Sequence, residues 1–339
     1  MKKPLACKET AMICRKRGLR IGRWVIPALL LATSGVPASA LEDYPNHTIK
    51  IVVPLPPGVF ADALPRIIAD KLSSRWSQPV VIENRSGFAS NLGAEFVAKA
   101  DPDGYTLLAT PQGPLVLSQH IYPKLGFDPT AFVPVSVMAA LPYTLVVNPR
   151  VQASTLQELV ALAKANPDKI TFASAGIGSP PHLTAEMLMA AAGVRMVHVP
   201  YKGLAPAMTD LLAGHVDVMF DNLANVLPQI KSGTLRALAV GDKGRIPELP
   251  DLPAIAETYP GFYSAGWYAA VAPPKTPLAI ATKLSAAIAE TLKLPDVAKK
   301  LADFSARPIG SSPEETAAFL KQESERWRQV IVSAGITEQ

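Results

Sequence analysis

From Thr48 onward the chain alternates short β-branched runs with amphipathic stretches of helical period, and this alternation most restricts its fold. Strands separated by helices of that length return to a common sheet with helices on its faces, an α/β fold. The first unit is a strand over 49–53 and a helix over 62–76, with Leu64, Ile67, Ile68 and Leu72 on one face. Pro65 is expected in the first turn of that helix, where a missing N–H does little harm. A strand at 80–83, a helix at 92–99 and a strand at 105–109 follow, with turn chemistry at Asp101-Pro102-Asp103-Gly104.

The proline-rich passage 111–142 is expected to break this regularity, and the strand 143–147 to cross into a second lobe. There Ser154, with Gln157 three residues on, predicts a helix start. Strands at 170–173, 196–199, 216–220 and 235–240 alternate with helices at 180–192, 205–213 and 222–231. The run Gly266 to Val271 is the return crossing, and the remainder is helical over 277–292, 296–303 and 313–333. The last helix carries Ser312 and Glu315 as a capping box and Pro313 at its first position. Two crossings imply two α/β lobes, 41–143 with 267–339 and 144–266, around a cleft that closes by hinge motion.

Residues 1–40 stand apart. Eight basic side chains lead to an apolar run at 24–32 and then to Ala38-Ser39-Ala40, the pattern of a secretory signal peptide cut near Ala40. The apolar run is too short to span a bilayer, which takes roughly 20 residues. The formal charge of +5 belongs to this leader: it holds 8 of the 33 Lys and Arg and one of the 28 Asp and Glu, leaving 25 against 27. A basic nucleic-acid-binding surface is therefore not expected. Both cysteines, Cys7 and Cys14, lie in the leader, which excludes disulfides, thiolate metal sites and cysteine nucleophiles from the rest. An exported chain of roughly 300 residues without disulfides must rest on a sizeable core.

Two loops stand out. In Lys50 to Asp62 a buried strand runs into Pro54, Pro56, Pro57 and Gly58, and Asp62 is placed to cap the helix that follows. Such a strand–loop–helix turns backbone donors and the positive end of a helix dipole toward a crevice. Ser174-Ala175-Gly176-Ile177-Gly178-Ser179 repeats the arrangement, with Ser179 as the expected cap, Pro180 at the first helical position and His182 able to donate to a carboxylate. One loop per lobe suggests a small anion gripped from both sides. The remaining histidines do not cluster at metal-ligand spacing, no metal or cofactor is expected, and His198 is expected to be a satisfied core residue. Motifs for a serine-hydrolase elbow, a phosphate loop and a dinucleotide fingerprint are lacking, and Asp217 and Asp221 are not expected to be catalytic. Asp221 is better placed to touch a ligand or to cap the helix after it.

The stretches YPNHTIKIVVPLPPGVFAD, QPVVIENRSGFASNLGAEFVAKADPDGYTLLAT, HVPYKGLAPAMTDLLAGHVDVMFDN and LPQIKSGTLRALAV, with the PEET helix, occur in this order between Tyr44 and Gly335. In these motifs the chain resembles the solute-binding receptors of the tripartite tricarboxylate transporter family, the Bug receptors. The resemblance implies a periplasmic binding protein of the type II kind, not an enzyme, with two α/β lobes joined by a two-strand hinge. It implies delivery of a small carboxylate to a membrane permease of one large and one small subunit, by a receptor that works as a monomer. The carboxylate would be held by backbone amides, hydroxyls and ordered water. Carried over residue by residue, the ligand-binding positions are Pro57, Gly58, Val59, Phe60, Ala61 and Asp62 in the first loop. Ser174, Ala175, Gly176, Gly178, Ser179 and His182 form the second, and Phe88, Ala89, Ser90, Gln112 and Asp221 the walls.

The chain departs from the family where the first loop commonly reads P-P-G-G, then Ser or Thr, then Asp: here Val59, Phe60 and Ala61 intervene before Asp62. The loop often written G-A-G-G-N is Gly87-Phe88-Ala89-Ser90-Asn91. Two added rings suggest a ligand with an aromatic or long apolar body beside its carboxylate, unless Phe60 and Phe88 pack away from the cleft. A ligand-presenting accessory of a signalling system and an exported hydrolase are the alternatives.

Overall fold

The computed structural model describes residues 43–58 and 60–336; the leader and Val59 lie outside the described residues. Strands β1 (Ile49–Val53), β2 (Val80–Asn84) and β3 (Thr106–Pro111) are parallel, with β1 between the other two. Helices α1 (Phe60–Trp76) and α2 (Asn91–Ala98) connect them. A short helix α3 (Ser118–Ile121) then leads to β4 (Val133–Val147), a 15-residue strand. Beyond it come α4 (Leu156–Ala165), β5 (Thr171–Ser174), α5 (Pro180–Ala192), β6 (Val197–Pro200), α6 (Leu204–Ala213), β7 (Val218–Asn222), α7 (Leu223–Ser232) and β8 (Arg236–Val240). A one-turn α8 (Ile255–Thr258) precedes β9 (Ala265–Ala272), and α9 (Leu278–Leu292), α10 (Pro295–Ala302), β10 (Arg307–Pro308) and α11 (Pro313–Ser333) close the chain.

β4 joins the halves. Its first ten residues pair antiparallel with β9, which in turn pairs antiparallel with β3. Its last five pair with β7 on one side, Thr144 to Val147 also pair with β8 on the other, and β5 links β7 to β6 in parallel. The result is the two-lobe periplasmic binding protein fold, with β4 and β9 as the crossing strands. Each lobe has apolar clusters on both sheet faces. α1 and α9 bury Leu64, Ile68, Leu72, Leu284 and Ile288 against β1 and β3, while α4 and α5 bury Leu159, Leu188 and Met189 against Leu145 and Phe220.

β4 begins ten residues before the expected strand. Pro134 and Pro142 argue for a break because proline cannot donate to a ladder. Pro134 sits at a register shift, and Pro142 where β4 leaves β9 for β7, so neither displaces a needed donor. Helix α1 starts two residues earlier than expected, which moves Pro65 from the first turn into the interior. The cap of α4 is Thr155, whose side chain accepts the Glu158 N–H, rather than Ser154. The capping box at Ser312 and Glu315 is formed.

The last helix is fastened to the crossing strand. Trp267 and Trp327 are fully buried, and both indole N–H groups donate to Glu323 Oε2, at 2.9 and 3.3 Å. Arg326 pairs with Glu323 at 2.7 Å and donates to the Tyr263 carbonyl just before β9.

Candidate functional site

The register fixes where the loops meet. At the carboxyl end of β3, Pro111 lies opposite Tyr268; at the carboxyl end of β7, Asn222 lies opposite Tyr143. β9 starts with Ala265 opposite Pro142. The parallel strands of both lobes therefore end against one stretch of the crossing strands, 139–143 and 265–268. Crevices outside the carboxyl ends of strands are where α/β sheets bind ligands.

The first loop is set by charge. Gly58 turns at φ +92°, and its N–H donates to Asp62 Oδ2 at 3.1 Å. Asp62 is the third residue of α1, so its carboxylate reaches back to the loop; the expected cap of later N–H groups is replaced by this backward bond. Arg66 Nε donates to Oδ2 at 3.0 Å, and Asn84 donates to Asp62 Oδ1 at 2.8 Å and to the Leu55 carbonyl at 2.9 Å. The Arg66 hydrogen bond leads the effects that hold the Asp62 carboxyl down to about 2, against the opposing cost of burial.

The second loop is set without charge on its own residues. Ser174 Oγ accepts the Gly176 N–H at 3.1 Å and lies 2.6 Å from His198 Nε2. Gly176 and Gly178 take φ of +124° and +73°, and the Gly178 N–H donates to His182 Nδ1 at 3.0 Å. The two imidazoles stack at 3.8 Å between centroids, with Phe172 on the same pile. His182 was expected to donate to a ligand carboxylate; its Nδ1 instead accepts, and its Nε2 faces Glu186 at 3.4 Å. Ser179 makes no cap bond, and its hydroxyl is buried without a partner. Pro180 and Pro181 carry no N–H, so among the first three helical positions of α5 only His182 offers one.

Ser174 and His198 do form a hydroxyl–imidazole pair, which the sequence did not suggest. Ser174 is fully buried and engaged with Gly176, so the pair shapes the loop and offers no accessible nucleophile.

Several buried polar side-chain atoms find no partner among the described residues. Both amide atoms of Asn91 and Gln112, Ser179 Oγ, Asn222 Oδ1 and Thr144 Oγ1 are buried without a hydrogen-bond partner. Each such group costs about 1–3 kcal/mol unless a ligand or water completes it. A Cβ added at Gly266 would sit 2.9 Å from Asn222 Oδ1 and 3.2 Å from the Tyr143 hydroxyl, so the glycine keeps that corner open. Of these residues the sequence pointed to Gln112 and Ser179; Asn91, Asn222, Thr144, Tyr143, Tyr268 and Gly266 were missed. Their signal is only their place at strand ends.

Asp221 is 1 % exposed. Its Oδ1 accepts the Asn222 N–H at 2.7 Å and the Asn225 side-chain amide at 2.9 Å, which ties it to the start of α7 without capping that helix's own N–H groups. Burial pushes its carboxyl up to about 6, the two hydrogen bonds opposing. Burial, then the neighbouring Asp221, pushes the Tyr268 phenol up to about 12, and burial raises the Tyr143 phenol well above its usual value. Asp217 lies elsewhere, holding Thr171 and Arg150. Phe60 is half-buried, its ring 5.2 Å from both Tyr268 and Phe304. Phe88 is 47 % exposed and tilts on Tyr122 at 4.8 Å. Phe88, Ala89 and Ser90 have φ of +44°, +48° and +75°, a left-handed run without a glycine.

The profile described as the tripartite tricarboxylate transporter family receptor matches residues 64–336. The chain belongs to the tripartite tricarboxylate transporter receptor family. Protein BugT of Bordetella pertussis is 36 % identical over 311 residues, 91 % of this chain and 95 % of that protein. The structure of R. palustris Rpa4515 with adipate superposes with a TM-score of 0.76 at 36 % identity, covering 87 % of this chain and all of that one. MatC from Rhodopseudomonas palustris with bound malate gives 0.71 at 32 %, covering 85 % and all of that chain. This family consists of solute-binding receptors, not enzymes, and the chain is a periplasmic-type solute-binding protein.

Proposed function

We propose that the protein captures a small carboxylate in the cleft between the two strand–loop–helix units and hands it to a tripartite membrane permease. The observation that carries this is the set of unsatisfied buried polar atoms, those of Asn91 and Gln112 in one half of the chain and of Ser179 and Asn222 in the other. Loops 54–62 and 174–182 contain neither Lys nor Arg, so the seat suits an anion held by dipoles and hydrogen bonds rather than by a counter-charge. The bound adipate and malate of two relatives of similar fold favour the same ligand class here.

The ligand-binding positions are those of the two loops with Phe88, Ala89, Ser90, Gln112 and Asp221, and the lobes that close on the ligand are 41–143 with 267–339 and 144–266. That the acid has an aromatic or long apolar body rests on the exposed ring of Phe88, because Phe60 packs with Tyr268 and Phe304 against the core. The leader directs the chain to the periplasm, and the receptor works as a monomer. The test is native mass spectrometry of residues 41–339, followed by calorimetric titration with adipate, malate and benzoate. One acid per chain is the expected result; no binding by any of the three overturns the carboxylate reading.

A further inference from the structure

The second loop has no ion pair among its own residues, yet two imidazoles, His182 buried and His198 half-buried, share the work of shaping it. His182 is 4 % exposed and gives Nδ1 to the Gly178 N–H at 3.0 Å, so that nitrogen must be unprotonated. Glu186, one turn further along α5, faces Nε2 at 3.4 Å and keeps the ring proton there. His198, on β6, meets Ser174 Oγ at 2.6 Å, and Ser174 in turn accepts the Gly176 N–H. The rings overlap at 3.8 Å with only 10° between their planes, and Phe172 on β5 covers both. Glu186 is the charged group in ion-pair reach of either ring among the described residues.

We propose that His182 and His198 are positioning residues for the ligand seat, and that a proton at His182 Nδ1 undoes the seat and releases the ligand. The inference rests on the carboxylate-receptor reading above. The chemistry is direct. An imidazolium at His182 carries N–H on both nitrogens, so the Gly178 N–H meets a donor instead of an acceptor and the loop must turn away. A cation on either ring also lies face to face with its neighbour across 3.8 Å. Burial first, and His182 second, hold the His198 imidazole down at about 4, which keeps that ring neutral beside its neighbour.

Asparagine places its Oδ1 where Nδ1 stands, and glutamine its side-chain amide where Nε2 stands, and neither titrates. Calorimetry with adipate, malate and benzoate from pH 7.5 to 4.5 is the test. In the unmodified protein the affinity falls on acidification. His182→Ala lowers it about tenfold or more at pH 7.5, the scale of one well-placed hydrogen bond. His182→Asn recovers most of that loss with a flattened pH profile, and His198→Gln recovers the loss of His198→Ala with the profile unchanged, because His198 is held down at about 4. A His182→Asn profile as steep as the unmodified one, or an alanine variant that binds normally, overturns the proposal. If no acid binds the unmodified protein at pH 7.5, the receptor reading is what fails, and nitrogen-15 NMR then decides the histidines. The Gly178 amide signal must shift with acid in the unmodified protein and stay fixed in His182→Asn; a signal that does not move overturns the inference.

Discussion

The two loops reach the same backbone solution by opposite means. The loop after β1 is pulled into shape by an ionised carboxylate, Asp62, tied to Arg66, Asn84 and the Gly58 N–H. The loop after β5 is shaped by two neutral rings and a hydroxyl, and two prolines remove donors from its helix start. The first arrangement keeps its charge across all but strongly acid conditions. The second rests on uncharged groups, and burial keeps the His198 imidazole down at about 4. Two copies of one motif thus differ in what can unmake them, and that difference lies in the side chains beneath the loops.

The comparison can be broken most forcefully at the glycines. A Cβ at Gly178 would stand 2.8 Å from Ile121 Cδ1 at a φ of +73°, whereas at Gly58, with φ +92°, nothing lies within 4 Å. Gly178→Val is expected to abolish ligand binding and cost about 3 kcal/mol in urea unfolding, through overpacking and backbone strain together. Gly58→Ala carries only the left-handed penalty of about 1–2 kcal/mol. Equal losses would mean that Ile121 yields freely and that the loops are equally tolerant.

A second comparison sets Asp62 against Asp221. Asp221 is raised to about 6, so its burial is costless below the ordinary carboxylate range and stability is lost as pH rises through 6. Asp221→Asn, whose amide oxygen can still accept from Asn222, should gain up to about 2 kcal/mol at pH 8 and nothing at pH 4. Thermal unfolding at both values checks this, and a loss at pH 8 would mean that the carboxylate is needed ionised. Asp62 is lowered to about 2, so its contribution is complete above about 4 and disappears as pH falls toward 2. Asp62→Ala should cost about 1–2 kcal/mol at pH 7 and weaken ligand binding. The difference from the unmodified protein should shrink on acidification below pH 4, which melting curves at pH 3 and 7 would read.

The smallest effect concerns the 87–90 loop. Phe88→Gly relieves a non-glycine residue at φ +44° and should stabilise the fold by about 1 kcal/mol in urea unfolding. A simultaneous change of preference between benzoate and adipate would put the ring at the ligand; an unchanged preference would leave it on Tyr122.

Periodicity made most of the fold legible. α5 and α11 begin and end where the spacing of apolar residues and their prolines place them, and the capping box at Ser312 is a local signal with a local cause. β4 was half hidden, because Pro134 and Pro142 carry a breaker's meaning until the pairing partners are known. β10 pairs with β4 by only two residues, Arg307 and Pro308, and leaves no period to find. In the site, glycines and prolines pointed to both loops, since backbone that must turn sharply advertises itself. What holds those loops was not legible: the Arg66–Asp62–Asn84 contacts span up to 22 residues, and the His182–His198 stack joins a helix to a strand. The buried atoms left without partners cannot be seen in any sequence window, because having no partner is a property of the assembled cleft.

β4 has a mechanical consequence. The lobes share an unbroken ribbon paired to β9 over one length and to β7 and β8 over the next, without a slack linker between those two regions. Any opening or closing of the proposed cleft would have to flex that ribbon as a leaf spring flexes, with a rest angle that belongs to the strand rather than to the ligand. Residues along the ribbon, Pro142 above all, would set how far the jaws stand apart when empty. The force with which the cleft grips can therefore be retuned from positions that never touch what it carries.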